Sequence, residues 1–504
     1  MHKLNGHYKI SLKFLTTILL LFVLLSPNLS AQEATNYTLT DVVKIAQNQS
    51  PDALIAKHRL RVSYWNYKIF KADYLPNLNL AATVPNLNRT INAVKGQDGT
   101  SVYTPESITN YSVDLSLTQK IGFSGGDIFL SSGLRRMDNF LTDTSTTSYL
   151  TNMVSIGIRQ PIYSYNPYKW LKRIEPMKYE EARRTYVETN EEVASTAINY
   201  FFNLLLAQID LGIGLKNESN YDTLYRIAQG RYTLGKIAEN DLLQLELNLL
   251  KAQSDVEKTQ FDYENALFVF KSYLRIKDNN QIVIIPPSAT DHFYVPAQIA
   301  IEQAKANTST GLEFQRRILE AESQINQAKM DGRFDADIFA MFGLTQTSDN
   351  VPDSYRSPLD EEILTLGISV PILDWGKARG KIKLAESNLD LVQTAVDQDK
   401  IDFEQNIFIE AMNFNMQEKQ LNIAAKSDTV AQKRFNITQK RYMIGKVNDV
   451  LELKNAQIDN DNAKMGYYRA LRTYWRSFYQ IRKLTLYDFE RDMPIQIDID
   501  ALLE

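Results

Sequence analysis

The sequence predicts an α+β membrane protein. Long coiled-coil helices run on from amphipathic β-strands, and the whole plan is written twice in one chain. Three observations predict it: segments that recur at one fixed offset, runs of strict period-2 alternation, and 3-and-4 apolar stripes too long for a compact globule. The chain has 504 residues with only 20 Gly and 15 Pro. So few breakers favour long uninterrupted elements.

The N-terminus comes first in chain order. Lys3, Lys9 and Lys13 precede an apolar run, Phe14–Leu25, and small residues follow near Ala31. These are the three parts of a secretory signal peptide, expected over 1–31. A dozen apolar residues are too few to span a ~30 Å hydrocarbon core as a helix. Removing that segment takes the formal charge from −4 to −7, which argues against a nucleic-acid partner.

The repeat is read from two pairs of segments. Arg231-Tyr232-Thr233-Leu234-Gly235-Lys236 recurs as Arg441-Tyr442-Met443-Ile444-Gly445-Lys446, at an offset of 210. Pro161-Ile162-Tyr163 recurs as Pro371-Ile372-Leu373 at the same offset. Upstream, Tyr74–Leu78 aligns near Arg333–Ile338 at an offset of 259, so repeat 1 carries about 49 extra residues before Pro161. The expected plan is repeat 1 over 37–285, repeat 2 over 296–488 and a C-terminal tail over 489–504.

Each repeat opens with a helical stretch, near Asp41–Tyr74 in repeat 1. Strands follow, about 77–160 and about 335–370. Leu78, Leu80, Ala82 and Val84 alternate with Asn77, Asn79, Ala81 and Thr83. The same period of two marks Val154–Ile158, Ile338–Leu344 and Leu364–Val370, each a strand with one apolar and one polar face. The extra residues add two more such runs, Tyr111–Thr118 and Ile128–Arg135, around Gly125-Gly126. They are expected as barrel strands or as an extracellular hairpin. Long helices follow, 166–277 and 376–485. Val193, Ala197, Tyr200, Leu204, Ala207 and Leu211 step by 3 and 4, the period of coiled-coil packing. About 64 helical residues at ~1.5 Å each reach roughly 95 Å.

Four to six amphipathic strands cannot close a membrane barrel, whose smallest form has about eight. An open strand edge is forbidden in lipid. The strands must therefore pair with those of other copies, twelve or eighteen strands for three copies.

On these residues the chain resembles the TolC-like outer-membrane efflux proteins. Tyr37-Thr38-Leu39-Thr40-Asp41, with Asn48-Gln49-Ser50-Pro51, is similar to the family's opening helix. Gln160-Pro161-Ile162-Tyr163 and Val370-Pro371-Ile372-Leu373-Asp374-Trp375-Gly376 resemble its strand-to-helix motif. The two Arg-Tyr-x-x-Gly segments resemble its periplasmic turns. The resemblance covers about 37–488. It implies a homotrimer with a transmembrane β-barrel continuous with a coiled-coil α-helical barrel, set in the outer membrane of a Gram-negative bacterium with most of its mass in the periplasm. It also implies a passive export duct for efflux or type I secretion, partnered by outer-membrane lipid, a periplasmic adaptor and an inner-membrane pump.

The resemblance further points to site residues. Arg231, Tyr232, Gly235, Arg441, Tyr442 and Gly445 are expected at the periplasmic tips, either meeting the adaptor or packing and capping the hairpins. Asp241, Asp449 and Glu452 are candidate constriction acids, since a ring of carboxylates in a narrow pore favours cations. Pro161, Pro371 and Trp375 mark the strand-to-helix junctions. Trp170 and Trp375 suit an interfacial aromatic belt or plain packing. No catalytic residue, cofactor or metal is expected: the chain has no Cys and four His, two of them in the leader. Two other readings compete, a structural periplasmic coiled-coil protein without channel activity and, far behind, an outer-membrane enzyme.

Overall fold

The computed structural model describes residues 35–95, 99–140, 145–277, 282–288, 293–444 and 450–503. The leader expected over 1–31 lies outside them, as do Gly445 and Asp449.

The elements come in two matching sets. In the first, β1 (Thr35–Tyr37) leads into α1 (Leu39–Gln49) and α2 (Pro51–Ala72). Four strands follow: β2 (Asn77–Lys95), β3 (Ser101–Ile121), β4 (Gly126–Phe140) and β5 (Ser145–Pro161). Then come α3 (Pro167–Thr233), α4 (Glu239–Leu274) and β6 (Ile282–Ile284). The second set has α5 (Ala297–Asn307), α6 (Thr310–Asp331), β7 (Asp335–Ser348), β8 (Leu359–Ser369), α7 (Lys377–Met443) and α8 (Val450–Thr485). The helices measure 11, 22, 67 and 36 residues in the first set. They measure 11, 22, 67 and 36 in the second. Short β9 (Tyr487–Asp488) and β10 (Met493–Pro494) and helix α9 (Asp500–Leu503) close the chain.

The single helix expected near Asp41–Tyr74 is two. Thr38 and Asp41 form a reciprocal capping box at the start of α1, with Thr38 Oγ1 accepting from the Asp41 amide at 3.3 Å. Ser50 is extended, at φ −63° and ψ 154°, because the ring of Pro51 disfavours a helical residue before it. Pro51 then opens α2, where its missing N–H costs nothing.

The backbone gathers into two compact units. One joins the segment ending at Ser50 with Ala194–Asp291 and Gln420–Thr473; the other joins Pro51–Val193, His292–Lys419 and Tyr474–Glu504. In the first unit β1 and β6 pair in parallel, and Gln208 clamps Ile284 through both its amide atoms, at 3.0 and 3.3 Å. Helix α3 holds a stretch apolar and long enough to cross a membrane by composition, yet its Phe201, Phe202, Leu204 and Leu205 are fully buried within the chain.

The second unit holds one six-stranded sheet of order β2-β3-β4-β5-β7-β8, antiparallel at every pairing. The two runs of the insertion lie inside β3 and β4, in the middle of this sheet. Strands β2 and β3 are longer than alternation suggested. A register shift between Thr83 and Asn86 moves the period of two by one residue, so Leu87, Ile91 and Ala93 continue the apolar face on odd positions. Buried Glu191 binds the Arg482 guanidinium at 3.1 Å, and Asp488 binds it from the other side. Two carboxylates and one cation thus satisfy each other where a lone charge would be costly.

Candidate functional site: helix tips and a two-faced sheet

Helix α3 ends in a Schellman turn. The Lys236 amide donates to the Arg231 carbonyl at 2.9 Å and the Gly235 amide to the Tyr232 carbonyl at 2.8 Å. Gly235 sits at φ +66°, a conformation that a Cβ makes costly. Arg231 does not stay on its own hairpin. Its Nη2 donates to the carbonyls of Tyr442 at 3.2 Å and Met443 at 3.0 Å, the last residues of α7. Its guanidinium also lies 5.3 Å from the centre of the Tyr442 ring. Orphan carbonyls at a helix end attract a cation.

Tyr442 is 1% exposed. It packs with Leu224, Ala228, Leu245, Phe435, Leu453 and Ala456, which belong to all four long helices. Burial pushes its phenol up, opposed by the nearby Arg231 and helped by Asp241. Tyr232, its repeat partner, is exposed. Arg441 pairs instead with Glu452 of its own hairpin, at 4.0 Å. Asp241 and Glu452 are each in the first turn of their helix, where the dipole favours acids.

Behind the tip runs a polar seam. A cavity of about 300 Å³ is lined by Asn217, Tyr221, Asn248, Gln457 and Asp461 among others. Asn217 donates to Asp461 at 2.8 Å. Burial nevertheless holds the Asp461 carboxyl above the usual range and pushes the Tyr221 phenol up to about 12. Neither amide atom of Gln457 has a partner in the chain. Sequence reasoning missed this seam, although Asn248 interrupts the apolar stripe between Leu245 and Ala252.

The sheet has one apolar and one polar face. Leu78 pairs with Leu117, Leu117 with Leu130, Leu130 with Ile156, and Ile156 with Phe342. Most of this face is open to the surroundings: Leu78 is 63% exposed and Leu364 78%, while Leu117 is half-buried. On the other face stand Asn79, Ser116, Asp114, Ser155 and Thr365. Glycines on that face make room for neighbours. A Cβ on Gly157 would overlap the Phe129 ring, and one on Gly343 would come within 2.5 Å of Ser155 Oγ. Beside the apolar field on β3 to β5, the Arg136 guanidinium lies 5.5 Å from the Tyr111 ring centre and 6.0 Å from that of Tyr149.

The junctions follow the sheet directly. Pro161 ends β5, and Asn166 caps α3 by accepting from the Tyr168 and Lys169 amides. Pro371 follows β8, and Asp374 accepts from the Gly376 and Ala378 amides before α7. Those bonds hold the Asp374 carboxyl below its ordinary range. Trp375 is 89% exposed at this corner. Trp170 is half-buried, 5.8 Å from Arg173. Among the described residues, no cluster of three His, Cys, Asp or Glu is placed to hold a metal.

Residues 339–485 match the family model described as "Outer membrane efflux protein", a family of transport ducts rather than of enzymes. No curated protein sequence matches the chain. Solved structures match nearly all of it. The Campylobacter jejuni CmeC outer membrane channel has a TM-score of 0.65 at 16% identity, covering 92% of this chain and 88% of that one. The outer membrane protein VceC of Vibrio cholerae has a TM-score of 0.61 at 12% identity, with 91% and 97% covered. The open state of the Neisseria gonorrhoeae MtrE outer membrane channel has a TM-score of 0.61 at 13% identity, with 90% of each chain covered. The second repeat thus carries the sequence pattern of the outer membrane efflux protein family, the chain as a whole carries the fold of outer-membrane channels, and the resemblance read from the repeats is borne out.

Proposed function

We propose that this protein is a passive export duct of a Gram-negative outer membrane, built from three copies and closed at its periplasmic helix tips. The observation that carries the reading is the broad apolar field, largely exposed, on one face of the six-stranded sheet. Such a face needs lipid or protein against it. Six strands are too few to close a membrane barrel, and three copies supply eighteen. The strands are long enough: a tilted crossing takes about 9–11 residues, and β8 has 11. The polar, glycine-bearing face then lines the lumen.

In this reading the signal segment and the aromatic corner at Trp375 set the chain in the outer membrane. The long helices of three copies form the periplasmic tunnel. Arg231 ties the two hairpins of one copy together, and Asp241 and Glu452, in three copies each, ring the narrow end. A carboxylate ring favours cations. Opening requires the Arg231 links to the Tyr442 and Met443 carbonyls to release. A periplasmic adaptor engaged by the tips, with an inner-membrane pump supplying energy, provides that trigger.

The test is single-channel recording of the detergent-purified protein in a planar bilayer, with its mass in solution measured alongside. A trimer with small, cation-preferring conductance is expected, and Arg231→Ala raises that conductance several-fold. A protein soluble without detergent, or one that never inserts, overturns the duct in favour of a structural coiled coil.

A further inference from the structure

The edges of the sheet carry a second message. Leu78, Leu117, Leu130, Ile156, Phe342 and Glu362 form one row straight across all six strands. Five are apolar and the last is an acid. The apolar field therefore does not run along the row. On β2 it runs unbroken from Leu78 to Val84, to one side of the row, before Arg89 interrupts it between Leu87 and Ile91. On β8 it occupies Leu364 to Ile368, to the other side, because β2 and β8 run in opposite directions. The centres differ by about seven residues over five strand spacings. At ~3.3 Å per residue and ~4.8 Å per strand, the field slopes near 45° to the row. That is the slope of a level membrane band on tilted barrel strands.

The slope fixes how two copies can meet. A level band continues at the same slope from β8 of one copy to β2 of the next. With the side-chain parity of the apolar face kept, only one register does this: Thr365 falls opposite Thr83, and Leu366 opposite Ala82. The irregularity between Thr83 and Asn86 adds one residue to β2. Beyond it, Leu87 falls opposite Glu362 and Arg89 opposite Asp360. All these residues past the band are exposed in the single chain. Among the described residues, Arg89, Asp360 and Glu362 have no ion-pair partner within their own chain. Each edge thus presents half of a charge pair at the same end of the band, on the same face.

We propose that β8 of one copy pairs with β2 of the next in this register, and that an ion pair from Arg89 to Asp360, with Glu362 diagonal to it, locks the seam between copies. The proposal rests on the closed-barrel reading and specifies its partner: a second copy of this chain, recognised by a band of matched height and by opposite charge at its rim. A guanidinium and a carboxylate at a lipid-facing rim are partly desolvated, so their attraction exceeds that of a fully hydrated pair. Opposite charges on facing strands also select the register, since slipping by two residues removes the direct pair.

The chain has no cysteine, so cross-linking reads the register on a clean background. Three double variants of the full-length, detergent-purified protein are compared: Thr83→Cys with Thr365→Cys, with Ile363→Cys, and with Gly367→Cys. Oxidation is expected to link copies efficiently only in the first. A second measurement is the temperature at which the assembly dissociates in detergent. Arg89→Glu is expected to lower it, and Arg89→Asp combined with Asp360→Arg to restore it. Preferential linking through Ile363 or Gly367 overturns the register while leaving the barrel intact. Linking in none of the three overturns the closure of the sheet between copies. A charge swap that fails to rescue, with Thr83–Thr365 linking intact, overturns the ion pair alone.

Discussion

The two hairpin tips share the pattern Arg-Tyr-x-x-Gly-Lys, yet they use it differently. In the first, Arg231 crosses to the other hairpin and caps its last carbonyls, while Tyr232 stands in the open. In the second, Tyr442 is the buried residue, beneath Arg231, and Arg441 stays with Glu452 on its own hairpin. One sequence pattern occurs twice, and packing uses it in two ways. One arginine became a link between helices and the other a local, half-exposed ion pair. The difference teaches that position 442 and position 231 act as one unit, whereas Tyr232 stays exposed and Arg441 stays within its own hairpin.

Replacing the two tyrosines tests that division with the largest expected effect. Tyr442→Ala empties a site ringed by all four helices. Losses of this kind cost about 3–5 kcal/mol when an aromatic is fully buried. Tyr232→Ala is expected to change stability by less than about 0.5 kcal/mol, as surface changes do. Hydrogen exchange at the tip, measured on both variants, checks the contrast. Equal protection in the two would erase it.

Gly235 is the next probe. At φ +66° a Cβ costs roughly 1–2 kcal/mol. Gly235→Ala is expected to fray the end of α3 and loosen Arg231 with it, raising conductance less than Arg231→Ala does. Thermal melting with bilayer recording reads both effects. A variant as stable as the parent would show that the Schellman turn does not hold the link in place.

Much of this was legible in the sequence. The repeat, the order of periods and the apolar face follow from residue type and spacing alone, because exposure to two different surroundings must be written into alternate residues. The break at Pro51 was legible too, from the proline rule, once the helix was not assumed continuous. Other features were not. The reach of Arg231 to carbonyls some 210 residues away depends on how two hairpins meet, and main-chain acceptors leave no trace in side-chain identity. The second half of β2 was hidden by the irregularity after Thr83, which shifts its parity by one. Asn248 is buried, and its amide gives no sign of that in residue type.

The polar seam sharpens the comparison in a different way, because Asn217 belongs to the first hairpin and Asp461 to the second. Burial raises the Asp461 carboxyl above its ordinary value of 3.8. The sign follows from linkage. A raised folded value means that the folded state holds the proton longer than the unfolded chain. Stability from this site is then fully present below the ordinary value and is lost as pH rises through the folded one. Asp461→Asn keeps a neutral, hydrogen-bonding group there. It is expected to melt higher than the parent at neutral pH, with the gain fading as pH falls toward 3.8 and absent below it. Melting curves across pH decide it; a gain that grows on acidification would reverse the assignment.

Arg441 carries the smallest expected effect and the sharpest consequence. Its side chain is half-exposed, its partner Glu452 is similarly open, and they stand 4.0 Å apart. Such a pair contributes about 0–1 kcal/mol. Arg441→Ala should therefore leave melting and closed-state conductance close to the parent, while Arg231→Ala alters both. If the second tip is the part left for an adaptor, the same substitution weakens adaptor binding without opening the channel. Pull-down with the purified adaptor, set beside conductance of the isolated protein, separates these readouts. An Arg441→Ala channel that leaks as much as Arg231→Ala would mean that both arginines lock the gate, and the two tips would then be equivalent in function despite their different contacts.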